Sequence, residues 1–175
     1  MIRHAPVEVD PDQPAAEWKC SEVGKKLTLE LIDSVRWEDI HVIYHSPEIK
    51  AQQTAKIIAN ELGVRMYVRT SLREVEARIG FLPINQFIAR VGDYLEGYPD
   101  PDFEDYDQAV ARFHQSICEI VSAAIVSHGR ILTAWYSYLL GSRLSRKDWQ
   151  SIGLPDLSVV HTDTWQVKQG FFAEL

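Results

Sequence analysis

Apolar positions recur along this chain in two alternating rhythms. From Glu22 onward, Val23, Leu27, Leu29, Leu31 and Ile32 fall close to a 3.6-residue period, which predicts a helix, with Ser21 placed as its N-cap. Ile40-His41-Val42-Ile43-Tyr44 is instead a short, β-branched apolar run of the kind that forms a buried strand. Ser46-Pro47 breaks that run, and proline suits the first turn of a helix. Ile49, Ala51, Ala55, Ile58, Ala59 and Leu62 then mark a second helix that stops at Gly63, and 64–68 reads as a second strand. Helical spacing returns over 84–95 and 105–122, on either side of a Gly97-Tyr98-Pro99-Asp100-Pro101-Asp102 linker. A third apolar strand covers 123–127, His128-Gly129 turns the chain into a helix over 130–140, and 157–160 and 164–167 read as β-structure. Ahead of all this, 5–16 carries Pro6, Pro11 and Pro14, which fix φ and remove backbone donors, so it reads as an ordered loop. Strands alternating with helices indicate an α/β layered domain. The expected form is a three-layer α/β/α sandwich with a mainly parallel central sheet. It spans 1–175 as one domain, with 76–122 as a small helical, cap-like insertion.

Composition narrows the function classes. The chain has 175 residues, is 46% hydrophobic and 25% charged, and carries a net charge of −7 from 18 basic and 25 acidic residues. That balance lacks the basic footprint of a nucleic-acid binder but leaves room for a local cluster of cations around an anionic substrate. Cys20 and Cys118 are the only cysteines and do not read as a disulfide framework, so reduced thiols and a cytoplasmic location are expected. No apolar run has the length of a membrane span, and no membrane partner is expected. His41, His45, His114 and His161 show no metal-ligand spacing, and no metal or other cofactor is expected. Nothing in the pattern fixes an oligomeric state.

Three segments at or just after strands stand out, where α/β folds place their sites. They are Arg3-His4-Ala5, the stretch Ser46-Pro47-Glu48-Ile49-Lys50-Ala51-Gln52-Gln53-Thr54-Ala55, and Val126-Ser127-His128-Gly129, with Leu72-Arg73-Glu74 between the last two. In this order they resemble the histidine phosphatase superfamily, the phosphoglycerate-mutase-like fold. Its members carry Arg-His-Gly or Arg-His-Ala after a first strand, then Ser-Pro-x-x-Arg-Ala-x-Gln-Thr-Ala, then a Leu-Arg-Glu-like step and a late Ser-His-Gly. The resemblance implies a phosphomonoesterase acting on a small phosphorylated substrate or a phosphoprotein. By the same resemblance, His4 is expected as the nucleophile that becomes phosphorylated, Arg3 and His128 as lining of the phosphate pocket, and Glu74 as the general acid. Lys50 stands where the family has a second arginine, keeping the charge without the planar fork that grips two oxygens. Only Met1 and Ile2 precede Arg3, so the first strand is short against the roughly five residues of an ordinary strand.

Phosphoryl transfer asks for these residue types. It needs a nucleophile, cations around the equatorial oxygens and a proton for the leaving group. An imidazole attacks only when its nitrogen is unprotonated, and Arg3 next door opposes the protonation of His4. Gly129 lets the backbone come close to an anion at the start of a helix. A phosphate dianion beside Glu74 favours its protonated form. Arg130, where many relatives have a small residue, is read either as a further pocket cation or as a surface residue of the helix. Two other functions share the pattern: a phosphoglycerate-type mutase, and a catalytically weak phosphate- or phosphoprotein-binding module. The short stretch between Glu74 and His128 favours hydrolysis over the longer, sealed mutases.

Overall fold

The computed structural model describes residues 1–174. Six strands form one sheet: β1 (Ile2–Arg3), β2 (Val42–His45), β3 (Arg65–Val68), β4 (Ala123–Ser127), β5 (Asp156–His161) and β6 (Gln166–Gly170). Their order across the sheet is β3-β2-β4-β1-β5-β6. The first four are parallel, and β5 and β6 add an antiparallel edge. This is the expected α/β architecture with a mainly parallel sheet.

Six α-helices cover the sheet: α1 (Glu22–Asp33), α2 (Ile49–Leu62), α3 (Ile84–Glu96), α4 (Tyr106–Ile117), α5 (Gly129–Leu140) and α6 (Arg146–Ser151). On one face Ile43, Ala55, Ile58, Ala124 and Val126 are buried together, with Leu31 and Ile32 packed against them. On the other, Leu95, Phe113, Ile117, Ile125, Leu132 and Trp135 share one core. Strand β4 therefore feeds both faces, which is why its sequence is apolar without alternation. Residues of α3 and α4, expected in a cap-like insertion, belong to that same second core, and Val91, Tyr94 and Phe103 are buried within it.

The local reasons for the helices are those of the sequence. Ser21 caps α1 by accepting a bond from Gly24 N–H at 3.0 Å. Gly63, Gly97 and Gly141 end α2, α3 and α5 in the left-handed conformation. Three elements differ from the expected ones. The strand expected over 164–167 lies at Gln166–Gly170. The helix expected over 105–122 stops at Ile117, and Ser122 takes a φ of 53°, which no right-handed helix accommodates. Helix α6 was not expected at all. It starts on a capping box in which Ser145 and Asp148 satisfy each other's backbone amides.

Strand β1 is as short as the sequence implies, yet it lies inside the sheet. Ile2 pairs with Val126 on one side and Leu157 on the other, and only 1% of its surface is exposed. The ladder continues past both ends: His4 N–H donates to Ser127 O at 3.0 Å, and Ser158 N–H to Met1 O at 2.8 Å. Two-sided pairing thus anchors a segment that length alone would leave loose.

Candidate active site

The parallel register brings the sequence motifs together. Arg3 lies beside Ser127, and His45 beside Val126. The residues that follow each strand, His4, Ser46 and His128, therefore emerge at the same carboxyl edge of the sheet, where ligands of α/β folds bind. The His4 and His128 rings stand 5.2 Å apart between centroids, tilted by 60°.

The protonation of His4 follows from its contacts. Its Nδ1 lies 2.8 Å from Ala5 O. A carbonyl only accepts, so Nδ1 carries the hydrogen and Nε2 keeps its lone pair. Burial holds the His4 pKa well below its ordinary value, and His128, Lys50 and then Arg3 add to the effect. Arg3 opposes the protonation of His4 as the sequence suggested, and burial, His128 and Lys50 come ahead of it. Ala5 N–H donates to Thr54 Oγ1 at 3.0 Å, so α2 fixes the loop immediately after His4.

His128 is fully buried. Its Nε2 lies 2.6 Å from Ser46 Oγ, while Nδ1 has no partner. Burial drives its pKa to about 3 despite the opposing pull of Glu74, and Lys50, Arg130 and Arg3 repel its charged form. Both imidazoles are thus neutral at pH 7.

Arg3 donates through one guanidinium nitrogen to Ile152 O at 2.5 Å, just after α6, and its Nε is buried without a partner. The guanidinium packs on Gly129. A β-carbon at that position would lie 2.9 Å from Arg3 Nε and 2.9 Å from Trp149 Nε1. Trp149 Nε1 is likewise buried and unpartnered. Lys50 donates to Ala15 O at 2.7 Å, so the proline-rich loop serves to support this ammonium.

The two glutamates have distinct settings. Glu74 reaches the N-terminus of α5. One carboxylate oxygen accepts from Val75 N–H at 2.9 Å and Ile131 N–H at 2.8 Å, and the other from Arg130 N–H at 3.1 Å. Burial alone would raise its pKa, but Arg130, His128 and the amides of Val75 and Ile131 outweigh burial and hold it at about 2. The protonated form expected from the sequence is the one beside a phosphate dianion, and Glu74 as it stands is an ionised carboxylate. Arg130, left open by the sequence, pairs with it, Nε lying 3.3 Å from Glu74 Oε2. Glu48 was passed over in the sequence as an unremarked position inside the Ser-Pro segment. Its carboxylate accepts from Lys50 Nζ at 2.5 Å and from Glu74 N–H at 2.8 Å, and lies 3.4 Å from His128 Nε2. The signal for it was an acid two positions before the pocket lysine.

Of the residues singled out in the sequence, Arg3, His4, Lys50, Glu74, His128 and Gly129 all fall in this one constellation. Arg73 and Arg112 instead clamp Glu104, and Arg78 is exposed beside Glu76. His45 serves its strand end by bonding Ser46 O at 2.7 Å. Among the described residues no cluster of three or more His, Cys, Asp or Glu side chains could hold a metal ion, and no helix is long and apolar enough to cross a membrane.

Comparison with known proteins identifies the family and the fold. The sequence matches the histidine phosphatase superfamily (branch 1) over residues 1–170. The chain belongs to that superfamily. No curated protein sequence matches it. Among solved structures it is similar to a mycobacterial glucosyl-3-phosphoglycerate phosphatase bound to inorganic phosphate, at a TM-score of 0.69 and 19% identity, covering 99% of this chain and 97% of that one. It is also similar to a phosphoserine phosphatase from Entamoeba histolytica, at 0.72 and 14% identity over 97% and 94% of the two chains. A phosphoglycerate mutase from Bacillus anthracis aligns at 0.59 and 18% identity over 79% and 77%. At these identities the likeness is one of fold. This histidine phosphatase fold has its three parallel strand ends converging on His4 and His128.

Proposed function

We propose that the protein is a phosphomonoesterase that hydrolyses its substrate through a phosphohistidine on His4. The observation that carries this reading is the tautomer of His4. Its Nδ1–H is fixed on Ala5 O, so Nε2 faces the site as a free nucleophile, 5.2 Å ring to ring from a neutral His128. Nε2 attacks phosphorus and the ester oxygen leaves. Arg3, Lys50 and His128 hold the phosphoryl oxygens, with Gly129 allowing Arg3 close to the start of α5. Water then attacks the phosphohistidine and frees inorganic phosphate. Glu74 is the carboxylate that passes the proton in the family pattern. To do so it takes up a proton from its present ionised state as the phosphate charge arrives beside it. The substrate is a small phosphate ester or a phosphoprotein.

The experiment is to incubate the protein with an aryl phosphate and with 3-phosphoglycerate, alongside His4→Ala. Phosphate release that falls by at least about 10³-fold in the variant, with an acid-labile phosphoprotein trapped only in the wild type, is the expected result. Transfer between substrate positions without release would instead mark a mutase. Phosphate binding with no turnover in either protein would mark a binding module.

A further inference from the structure

Glu48 is an anion where the proposed reaction needs a cationic pocket. Its carboxylate sits on Lys50 Nζ at 2.5 Å and faces His128 Nε2 at 3.4 Å. These are two of the groups assigned above to the phosphoryl oxygens. A backbone amide, Glu74 N–H, completes its cradle at 2.8 Å. An ammonium, an imidazole nitrogen and a backbone N–H around one carboxylate make a set of contacts that suits a phosphate oxygen equally well. The pocket side chains are correspondingly covered: His4 is 9% exposed, Lys50 6% and His128 0%. Glu74 does not share this position, because its own oxygens are taken by the amides of Val75, Arg130 and Ile131.

We infer that Glu48 is an internal competitor of phosphate, a side chain that occupies Lys50 and His128 between turnovers, yields them to the substrate and reclaims them to expel inorganic phosphate. The inference rests on the phosphatase reading and deepens it. Two anions cannot share Lys50 without repulsion at hydrogen-bonding distance. A substrate displaces Glu48 because its leaving group adds contacts of its own outside the pocket. Free phosphate, the product, has no such contacts and faces the returning carboxylate alone. Glu48 is therefore a residue that sets affinity and product release, while bond making and breaking remain with His4.

The sign of this effect separates Glu48 from the residues assigned to the phosphoryl oxygens, Arg3, Lys50 and His128: removing it strengthens anion binding. In Glu48→Gln the amide oxygen still accepts from Glu74 N–H, but the charge is gone. Titration calorimetry with inorganic phosphate should show at least about tenfold tighter binding to E48Q than to the wild type. Phosphate should also inhibit turnover of an aryl ester by E48Q at correspondingly lower concentration, and KM should fall with it. Glu48→Ala should shift in the same direction, and matched thermal melts show that each variant is folded. Lys50→Ala should bind phosphate more weakly than the wild type. Equal or weaker phosphate binding by folded E48Q and E48A, with the wild type binding and turning over, overturns this inference and leaves the phosphatase reading intact. A loss of kcat in E48Q that steepens with the basicity of the leaving group, with no gain in phosphate affinity, also overturns it, by marking Glu48 as a proton donor. Wild type and variants that neither bind phosphate nor release it overturn both readings.

Discussion

At Gly129 the chain leaves no room for a β-carbon. The position meets Arg3 Nε and Trp149 Nε1 at once, and both of these atoms are buried. Gly129→Ala should destabilise the protein by about 1–3 kcal/mol, the usual cost of overpacking. It should also lower kcat/KM by roughly 10²-fold, because misplacing a positioning group by about an ångström costs that much. Urea unfolding and steady-state kinetics on the same preparation check both. At this scale the sequence was legible wherever a residue belonged to a spaced motif: His4, Lys50, Glu74 and His128 all converge. It was least legible where a residue's role depends on which way a side chain turns. Glu48 points inward onto Lys50, and Arg130 folds back onto Glu74. Neither direction is written in spacing, and both decide the charge of the pocket.

Helix α6 shows how a short element escapes a pattern and still matters. Its six residues are too few to display a helical period, and its start depends on the reciprocal bonds of Ser145 and Asp148. Yet α6 carries Trp149 against the site, and the carbonyl of Ile152 at its end takes Arg3. Ser145→Ala should cost about 1 kcal/mol, the usual value of an N-cap. For a domain of this size that lowers Tm by roughly 2–4 °C, which calorimetry reads directly. By contrast α1, α2, α3 and α5 were visible in advance, since each has an apolar stripe and a recognisable cap or stop. The expected 105–122 helix ran too far because composition alone does not reveal the backbone reversal at Ser122. Strand β1 was visible as a shortfall only, because its support comes from partners distant in sequence.

Across the whole molecule, burial of ionisable groups couples the fold to acid. His128 has its pKa driven to about 3, and that of His4 is also depressed, so the folded state refuses protons that the unfolded chain takes up near 6.5. Between those values the unfolded state binds more protons, and stability falls as pH falls. Each such histidine contributes a slope of about 1.4 kcal/mol per pH unit within its window. Glu74 and Glu104, both held at about 2, extend the loss below pH 4.5, where the unfolded carboxylates protonate. Urea midpoints should therefore drop steadily from pH 6.5 to 4, and His128→Asn should flatten that slope. A wild-type midpoint independent of pH over this range would show that the two imidazoles are charged in the folded protein.

The two-sided pairing of β1 also carries a consequence for biosynthesis. His4 is synthesised well before its support is complete, because the strand leading into it is wedged between β4 and β5, and Arg3 finds its acceptor 149 residues later, at Ile152. Until Ile152 has been made Arg3 lacks that carbonyl, and until β5 follows, β1 lacks its second neighbour. The setting of the His4 imidazole is thus finished by parts of the chain made long after it, with β5 closing the second side of its strand.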